Sequence, residues 1–289
     1  MRILDLLVSG LTLGSIYALV ALGFHLVFKM TGVIDFAQGD KVVIGGLIGL
    51  TLVNQGLSAV LVVALIVLAA GIVLGIAYDA IVILPTQGNG PIAAIAATVG
   101  ITLVFANGGQ LIWGPDGKPF PPVATGGIEL GEVRIGYQDL LIWAVVLAVG
   151  IGLALLLGRS RVGRGMVAAA TDPLAATAVG VNVARMRAIA FALAFGLAAL
   201  AGVLVAPITL AGGALGTALT LKGFTGAVLG GLGSTRGVLA GALLLGVIES
   251  ELGVVMSNNV VEPIVLIALI IILLVMPNGL FGLRRQRLA

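Results

Sequence analysis

The sequence has 289 residues, of which 60% are hydrophobic and 9% are charged, and its formal net charge is +3. A soluble domain carries roughly 25% charged residues, so the composition excludes that class and predicts an all-α polytopic membrane protein. The chain has no cysteine, which excludes a disulfide framework, a thiolate metal site and a cysteine nucleophile.

The first apolar run, residues 6–28, is long enough to cross a hydrocarbon core of about 30 Å. Gly10 and Gly14 in this run suit close packing between helices in lipid. His25 is the only histidine and cannot form a metal site alone, so we expect it to pack against protein or to lie at the interface.

A polar stretch, residues 29–41, follows and precedes an apolar run, residues 42–53, that is too short to span a membrane by itself. Extending that run backwards brings Asp40, Lys41 and Asp35 to membrane depth. Charges at that depth are costly and usually face a protein interior or a watery path.

We therefore expect a broken helix at this place, with Gly32 and Gly39 as its break points. Irregular backbone at membrane depth is tolerated only where protein buries it or where it lines a cavity. The alternative is a polar cytoplasmic loop before a short, tilted span.

Residues 58–84 and 92–113 are the next predicted spans. Asp79 lies near the end of the first of these two spans. It either lines a watery path through the protein or is solvated at the membrane interface. The polar segment 114–139 then holds four acids against two bases. Because it lacks an excess of lysine and arginine, we expect it to be an extracytoplasmic loop.

The segment 158–187 is the longest polar interruption and holds five arginines against one acid, Asp172. This excess predicts a cytoplasmic loop. Asp172 suits a helix N-cap, Pro173 the first helical position and Gly180 the residue past the end, so a short helix is predicted here. The segment is either a docking surface for a cytoplasmic partner or an ordinary loop that orients the protein.

The remaining predicted spans are residues 140–157, 188–208, 215–233, 238–255 and 264–276. The tail carries Arg284, Arg285 and Arg287, so we expect it in the cytoplasm. Nine crossings result, or eight if one glycine-rich segment is re-entrant. Nine crossings place the amino terminus outside.

Two segments, residues 31–49 and 229–246, both place a short polar break before a glycine-rich apolar run. Paired interrupted segments in the two halves of a transporter point to a central substrate path. Glu249 and Glu251 follow in the second span, and Glu249, deeper in the apolar run, is expected to face the interior.

The sequence carries no phosphate-binding loop, no H-E-x-x-H zinc motif and no G-x-S-x-G nucleophile motif. We therefore expect no catalytic residue, no metal site and no cofactor bound by this chain. If ATP drives transport, separate ATPase subunits must use the ATP and Mg.

The chain resembles branched-chain amino acid ABC importer permeases of the LivH type at several motifs. They are GLTLGSIYALVALGFHLVF (residues 10–28), GVIDFAQGD (32–40), GRGMVAAATDPLAATAVGVNV (163–183), LAGVLVAPI (200–208), AVLGGLGSTRGVLAGALLLGVIE (227–249) and PNGLFG (277–282). The resemblance covers nearly the whole chain.

The resemblance implies the ABC importer permease fold, with residues 1–289 as a single transmembrane permease domain in the inner membrane of a bacterium. It implies a second, LivM-like permease subunit, two LivG/LivF-like ATPase subunits and an extracytoplasmic solute-binding protein as partners. No nucleic acid is expected to bind. Residues 158–187 would be the cytoplasmic coupling loop and residues 114–139 an extracytoplasmic loop.

The candidate residues form two groups. We expect the substrate path along Asp35, Phe36, Gln38, Gly39, Gly230, Gly231, Gly233 and Glu249. By the resemblance, we expect coupling to the ATPases at Arg164, Asp172, Pro173, Leu174, Ala176 and Gly180. The mechanism would be alternating access, and free half-helix N-termini beside the path would favour a carboxylate.

Asp35 and Gln38 stand where the family usually has asparagine and histidine, and the tripeptide at 33–35 partly matches a motif of related sugar permeases. Members of the family that the chain resembles also import urea, short amides and aromatic acids. The resemblance therefore leaves these, and related carboxylic acids, as alternative solutes. An ion-coupled secondary carrier is the competing class. Its proton or cation sites would be Asp35, Asp79, Glu249 and Glu251.

Overall fold

The computed structural model describes residues 2–57, 59–122, 124–130, 133–212, 215–256, 258–276 and 279–281. In these residues the helices are α1 (Arg2–Thr31), α2 (Gln38–Asn54), α3 (Val60–Tyr78), α4 (Gly90–Trp113), α5 (Tyr137–Arg159), α6 (Arg161–Thr171), α7 (Pro173–Ala178), α8 (Val183–Thr209), α9 (Leu215–Gly230), α10 (Thr235–Val255) and α11 (Asn258–Val275). One antiparallel hairpin pairs β1 (Gly127–Leu130) with β2 (Val133–Gly136).

The predicted all-α polytopic class is confirmed, because each predicted span coincides with a helix. Within the described ranges, six helices are long and apolar enough to cross a membrane: Leu4–Thr31, Val60–Thr86, Gly90–Trp113, Tyr137–Arg159, Val183–Thr209 and Thr235–Val255. Of the other five described helices, α6 and α7 belong to the arginine-rich segment, and three are shorter apolar helices: α2 has 17 residues, α9 has 16, and the apolar part of α11 is Pro263–Val275. The glycine-rich run of the first segment that the sequence singles out, residues 31–49, lies in the short α2, whereas that of the second, residues 229–246, lies in the longer α10.

The chain divides into two compact units, and α1, α5 and α9 contribute residues to both. The first unit contains residues 1–25, 124–151 and 222–289, and the second contains residues 26–123 and 152–221. The tail arginines at 284, 285 and 287 lie outside the described residues.

The core of the second unit is α8 packed between α2 and α3, and α8 is buried along most of its length. Glycines permit this close approach. A Cβ built on Gly75 of α3 would lie 2.6 Å from Ala192 Cα, and one built on Gly71 would lie 2.9 Å from Gly196 Cα. Small residues at helix interfaces are the usual means of packing in lipid, where lipid tails are as apolar as leucine.

The break between α1 and α2 begins at Gly32, as the sequence predicts. Gly32 has φ +68°, a left-handed conformation that ends α1 and that glycine adopts at little cost. The prediction that Gly39 also breaks the helix is wrong, because Gly39 lies in the first turn of α2. Its missing side chain instead allows close contact with α9, where Gly39 N donates to Thr220 Oγ1 at 2.9 Å.

A second break, at Gly231 in the first unit, separates α9 from α10. Gly231 has φ +98°, and the side chain of Ser234 caps α10 by accepting from Gly237 N at 3.2 Å. The predicted span 215–233 therefore ends three residues early, at Gly230. In the same unit α1 packs closely on α10, since a Cβ on Gly10 would lie 2.7 Å from Val247 Cα.

The arginine-rich segment contains more helix than the sequence predicts. The predicted short helix is confirmed as α7, but α6 precedes it and was missed. Ser160 caps α6 by accepting from Gly163 N at 2.8 Å. Met166 and Ala169 on its inner face are buried, whereas Arg161 and Arg164 are exposed, so α6 is an amphipathic helix.

Candidate functional site

The break before α2 buries a pair of opposite charges. Asp35 and Lys41 are 1% and 0% exposed and form an ion pair. Tyr78 OH donates to Asp35 Oδ1 at 2.8 Å, and Lys41 Nζ lies 4.0 Å from the centroid of the Tyr78 ring. Because each charge has an opposite charge and a further polar or aromatic partner, the pair can exist in an apolar interior. These residues favour the broken helix over the polar loop considered above.

The other residues of this break attach it to three helices. Gln38 Nε2 donates to Ala194 O of α8 at 3.2 Å. Phe36 N donates to Thr98 Oγ1 of α4 at 3.3 Å, and Thr220 Oγ1 of α9 lies 3.3 Å from Phe36 O. Both backbone groups of Phe36 thus have partners in protein, as irregular backbone at membrane depth requires.

Asp79 forms a second buried ion pair, with Arg187 at the start of α8. Arg187 Nε lies 2.6 Å from Asp79 Oδ1, and Arg187 Nη2 lies 3.2 Å from Asp79 Oδ2. Asp79 opens a π-helical turn, Asp79–Ile83, that continues α3. Both residues are about 5% exposed or less, so the alternative of a solvated Asp79 is wrong.

A cavity of about 320 Å³ opens in the second unit beside both ion pairs. The end of α1, the turn between α3 and α4, and the start of α8 form its walls, together with Ala169 of α6 and Pro173 of α7. Asp35 and Arg187 both line it. Among the predicted path residues of this unit, Asp35 lines the cavity, whereas Phe36, Gln38 and Gly39 are not part of its wall.

The second break has its own polar cluster in the first unit. His25 is fully buried, with Nδ1 2.6 Å from Leu232 O and Nε2 3.0 Å from Thr235 Oγ1, so the packed role predicted for it is confirmed. Gly230 and Gly231 are buried, whereas Gly233 is exposed. Gly230 makes a close backbone approach to Gly237.

Glu249 of α10 forms an ion pair with Lys222 of α9. The two side chains are 14% and 23% exposed, so the predicted interior orientation of Glu249 is confirmed. Lys222 Nζ also lies 5.7 Å from the centroid of the Tyr17 ring of α1. The pair therefore connects three helices of the first unit.

The predicted coupling residues lie on α6, α7 and the turn after them. Asp172 caps α7 by accepting from Leu174 N and Ala175 N, both at 3.0 Å. Gly180 has φ +85° and follows the last turn of α7. Ala176 on the inner face of α7 is buried, and Leu174 on its outer face is 85% exposed. Arg164 is exposed on α6 and donates from Nη1 to Arg159 O at 2.9 Å.

The roles of Tyr78, Arg187 and Lys222 were missed from the sequence. Arg187 was assigned to the cytoplasmic loop, although it is buried. A signal was present, because Asp79, Arg187 and Lys222 each place a charge inside or at the end of an apolar run. Such a charge is stable when an opposite charge from another helix meets it.

These features define a multi-pass helical membrane protein with two helix breaks and paired buried charges. The model of the family of permease components of branched-chain amino acid transport systems matches residues 6–274. The chain belongs to this family.

Curated relatives cover nearly the whole chain. The high-affinity branched-chain amino acid transport system permease protein BraD of Pseudomonas aeruginosa is 32% identical, over 96% of this chain and 95% of its own length. The corresponding permease LivH of Escherichia coli is 30% identical, over 95% and 94%. The ribose import permease protein RbsC of Escherichia coli is 28% identical, over 91% and 83%. No solved structure matches the chain.

Proposed function

We propose that this chain is the membrane-spanning permease subunit of an ATP-driven importer for branched-chain or related amino acids. The observation that carries the proposal is the family match over residues 6–274, together with relatives of nearly equal length that are named as branched-chain amino acid permeases. The chain itself would be non-catalytic, and separate ATPase subunits would hydrolyse ATP with Mg.

The proposed assembly contains a second, LivM-like permease, two LivG/LivF-like ATPases and an extracytoplasmic solute-binding protein, in the inner membrane of a bacterium. Nine helices that cross in alternation would place the amino terminus outside and the carboxy terminus in the cytoplasm. This orientation puts α6 and α7 on the cytoplasmic side, in agreement with the excess of arginine in 158–187. The hairpin of β1 and β2 would lie outside.

Coupling would begin at α7. Leu174 of α7 and Val179, which follows its last residue, are 85% and 78% exposed. An apolar surface of this kind suits a protein partner. Pro173 also lines the cavity beside Asp35 and Arg187. A movement of α7 would therefore reach the buried charges of the second unit directly, and the two helix breaks would allow the spans to tilt.

We propose that solute passes along the segments that carry the two breaks, residues Asp35, Phe36, Gln38 and Gly39 in one unit and Gly230, Gly231, Gly233 and Glu249 in the other. Helix starts follow both breaks, at Gln38 and Thr235. A helix N-terminus favours a carboxylate, which every amino acid carries.

The ion-coupled carrier is less well supported. Three of its four candidate sites, Asp35, Asp79 and Glu249, are already paired with Lys41, Arg187 and Lys222, and only Glu251 forms no ion pair with the described residues. A neutralised pair attracts a proton or cation weakly compared with a free carboxylate. The identity to a ribose permease leaves a sugar as the second candidate solute.

Reconstitution tests the proposal. The chain would be assembled with its candidate permease and ATPase partners in vesicles, with the solute-binding protein and a labelled solute outside and ATP on the ATPase side. We expect ATP-dependent uptake of leucine, isoleucine or valine. Uptake that needs an ion gradient but no ATP would overturn the importer, and ATP-dependent uptake of ribose alone would reassign the solute.

A further inference from the structure

The cavity of the second unit has the size of a small-molecule site. Its volume of about 320 Å³ lies at the lower end of the roughly 300–1,000 Å³ that is usual for such sites. It is lined by the ends of helices and by the turn after α3, where Gly88 and Gly90 have φ +91° and +80° and face open space. The cavity therefore suits a ligand no larger than a single amino acid or a comparable metabolite.

Arg187 supplies an unused binding group in the wall. Its Nε and Nη2 bind Asp79, whereas its Nη1 has no acceptor within the part of the chain that the structure describes. The residue is only 5% exposed and lines the cavity. A guanidinium carries five N–H donors in one plane and prefers a carboxylate that it can bind at two points. A ligand carboxylate can satisfy the donors that Asp79 leaves free.

The rest of the wall is mainly short and apolar. Val27, Val33, Ile83, Ala94 and Phe191 provide aliphatic and aromatic surface around the polar end. Asp35 is the acid that lines the described wall, and it is already paired with Lys41. The charge of Arg187 is offset by Asp79, which lies behind the wall. The site therefore matches a small molecule with one carboxylate and a short aliphatic group.

We propose that this cavity is a binding site for a small aliphatic carboxylate that enters from the cytoplasm. The proposal rests on the proposed function in one respect. The ligand can enter the cavity from the cytoplasm only if α6 and α7 lie on the cytoplasmic side of the membrane. Pro173, the first residue of α7, is part of the wall. A bound ligand therefore touches the helix that we assign to ATPase coupling. The ligand is either a free amino acid or the corresponding acid without an amino group.

Direct binding tests the site. The full permease, assembled with its partner subunits but without the solute-binding protein, would be titrated with L-leucine, isovalerate and L-leucinamide. We expect saturable binding of L-leucine. L-leucinamide lacks the carboxylate that Arg187 would bind, so its affinity should be lower than that of L-leucine by about tenfold or more. Isovalerate binding equal to that of L-leucine would assign the site to simple carboxylates, and weaker isovalerate binding would assign it to amino acids.

Two variants locate the binding. Ala94→Leu fills the cavity, while Ala96→Leu on the same helix lies at an exposed position outside the wall and serves as the control. The double variant Asp79→Asn/Arg187→Gln removes the guanidinium but leaves no unpaired buried charge. We expect about tenfold or greater weakening in Ala94→Leu and in the double variant, and wild-type affinity in Ala96→Leu.

Two results would overturn the site: no saturable binding of either carboxylate to the wild type, or unchanged affinity in Ala94→Leu. ATP-driven uptake with the solute-binding protein, measured on the same preparations, separates the two proposals. Uptake without binding at this cavity rejects the site alone. Binding without ATP-driven uptake of any amino acid rejects the importer and leaves the site standing.

Discussion

Arg187 and Asp79 are 108 residues apart in sequence and form a two-point ion pair, with Nε–Oδ1 at 2.6 Å and Nη2–Oδ2 at 3.2 Å. The pair joins α8 to the π-helical continuation of α3. Both side chains are 6% exposed, so each charge depends on the other for its stability in the interior.

Arg187→Ala should therefore be strongly destabilising. Removal of one partner of a buried ion pair leaves an uncompensated charge and costs about 3–5 kcal/mol. The free energy of unfolding, measured by denaturant titration in mixed micelles, should fall by that amount. Arg185→Ala, at an exposed position on the same helix, should change it by no more than about 0.5 kcal/mol. Equal effects of the two variants would contradict the structural role of the pair.

Gly75→Ala should disturb the packing of α3 on α8. The added Cβ would lie 2.6 Å from Ala192 Cα and 2.5 Å from Phe191 O, which forces the helices apart. We expect a loss of about 1–3 kcal/mol in the free energy of unfolding. Gly100→Ala on α4 is the matched control, since its added Cβ would meet no heavy atom of the described residues within 4 Å apart from the adjacent residues and backbone of its own helix. The control should be neutral or stabilising, because alanine favours helix over glycine.

Asp172→Ala should weaken α7 and uncouple transport. The variant leaves Leu174 N and Ala175 N without their acceptor, and loss of an N-cap costs about 1 kcal/mol of helix stability. ATP-driven uptake and co-purification of the ATPases should both decrease. Asp172→Asn retains a capping oxygen and should restore both. If Asn behaves as Ala does, the negative charge and not the cap is what the partner requires.

The effects of exchanging Lys222 and Glu249 on the free energy of unfolding should not be additive. Each single exchange, Lys222→Glu or Glu249→Lys, places two like charges together in the first unit and should destabilise it. The double exchange restores an opposite-charge pair. Residues in one ion pair typically couple by about 0.5–3 kcal/mol in a double-mutant cycle. Additive single effects would show that the two side chains do not depend on each other.

The sequence contained enough information for the local elements. Apolar length predicted the spans, Gly32 predicted the end of α1, and Asp172 and Gly180 predicted the two ends of α7. Each of these depends on a few neighbouring residues, since capping and hydrophobic length are local properties.

What could not be predicted depends on residues distant in the chain. From its neighbours in sequence, Gly39 is predicted to break the helix. Only the structure shows that it allows α9 to pack closely against α2. The helix α6 was missed because it is short, and its stability comes from the burial of Met166 and Ala169 rather than from its own propensity. Among the candidate site residues, the path and coupling roles stay predictions, although their positions are now known.

The anchoring of α2 also affects the order in which the protein is made. Gln38 binds Ala194, which follows it by 156 residues, so α2 leaves the ribosome long before its partner in α8 is synthesised. Until then, the polar groups at its start have no complete set of partners, and each unsatisfied group costs several kcal/mol in lipid. We therefore expect the short α2 to reach its final depth only after α8 has been inserted.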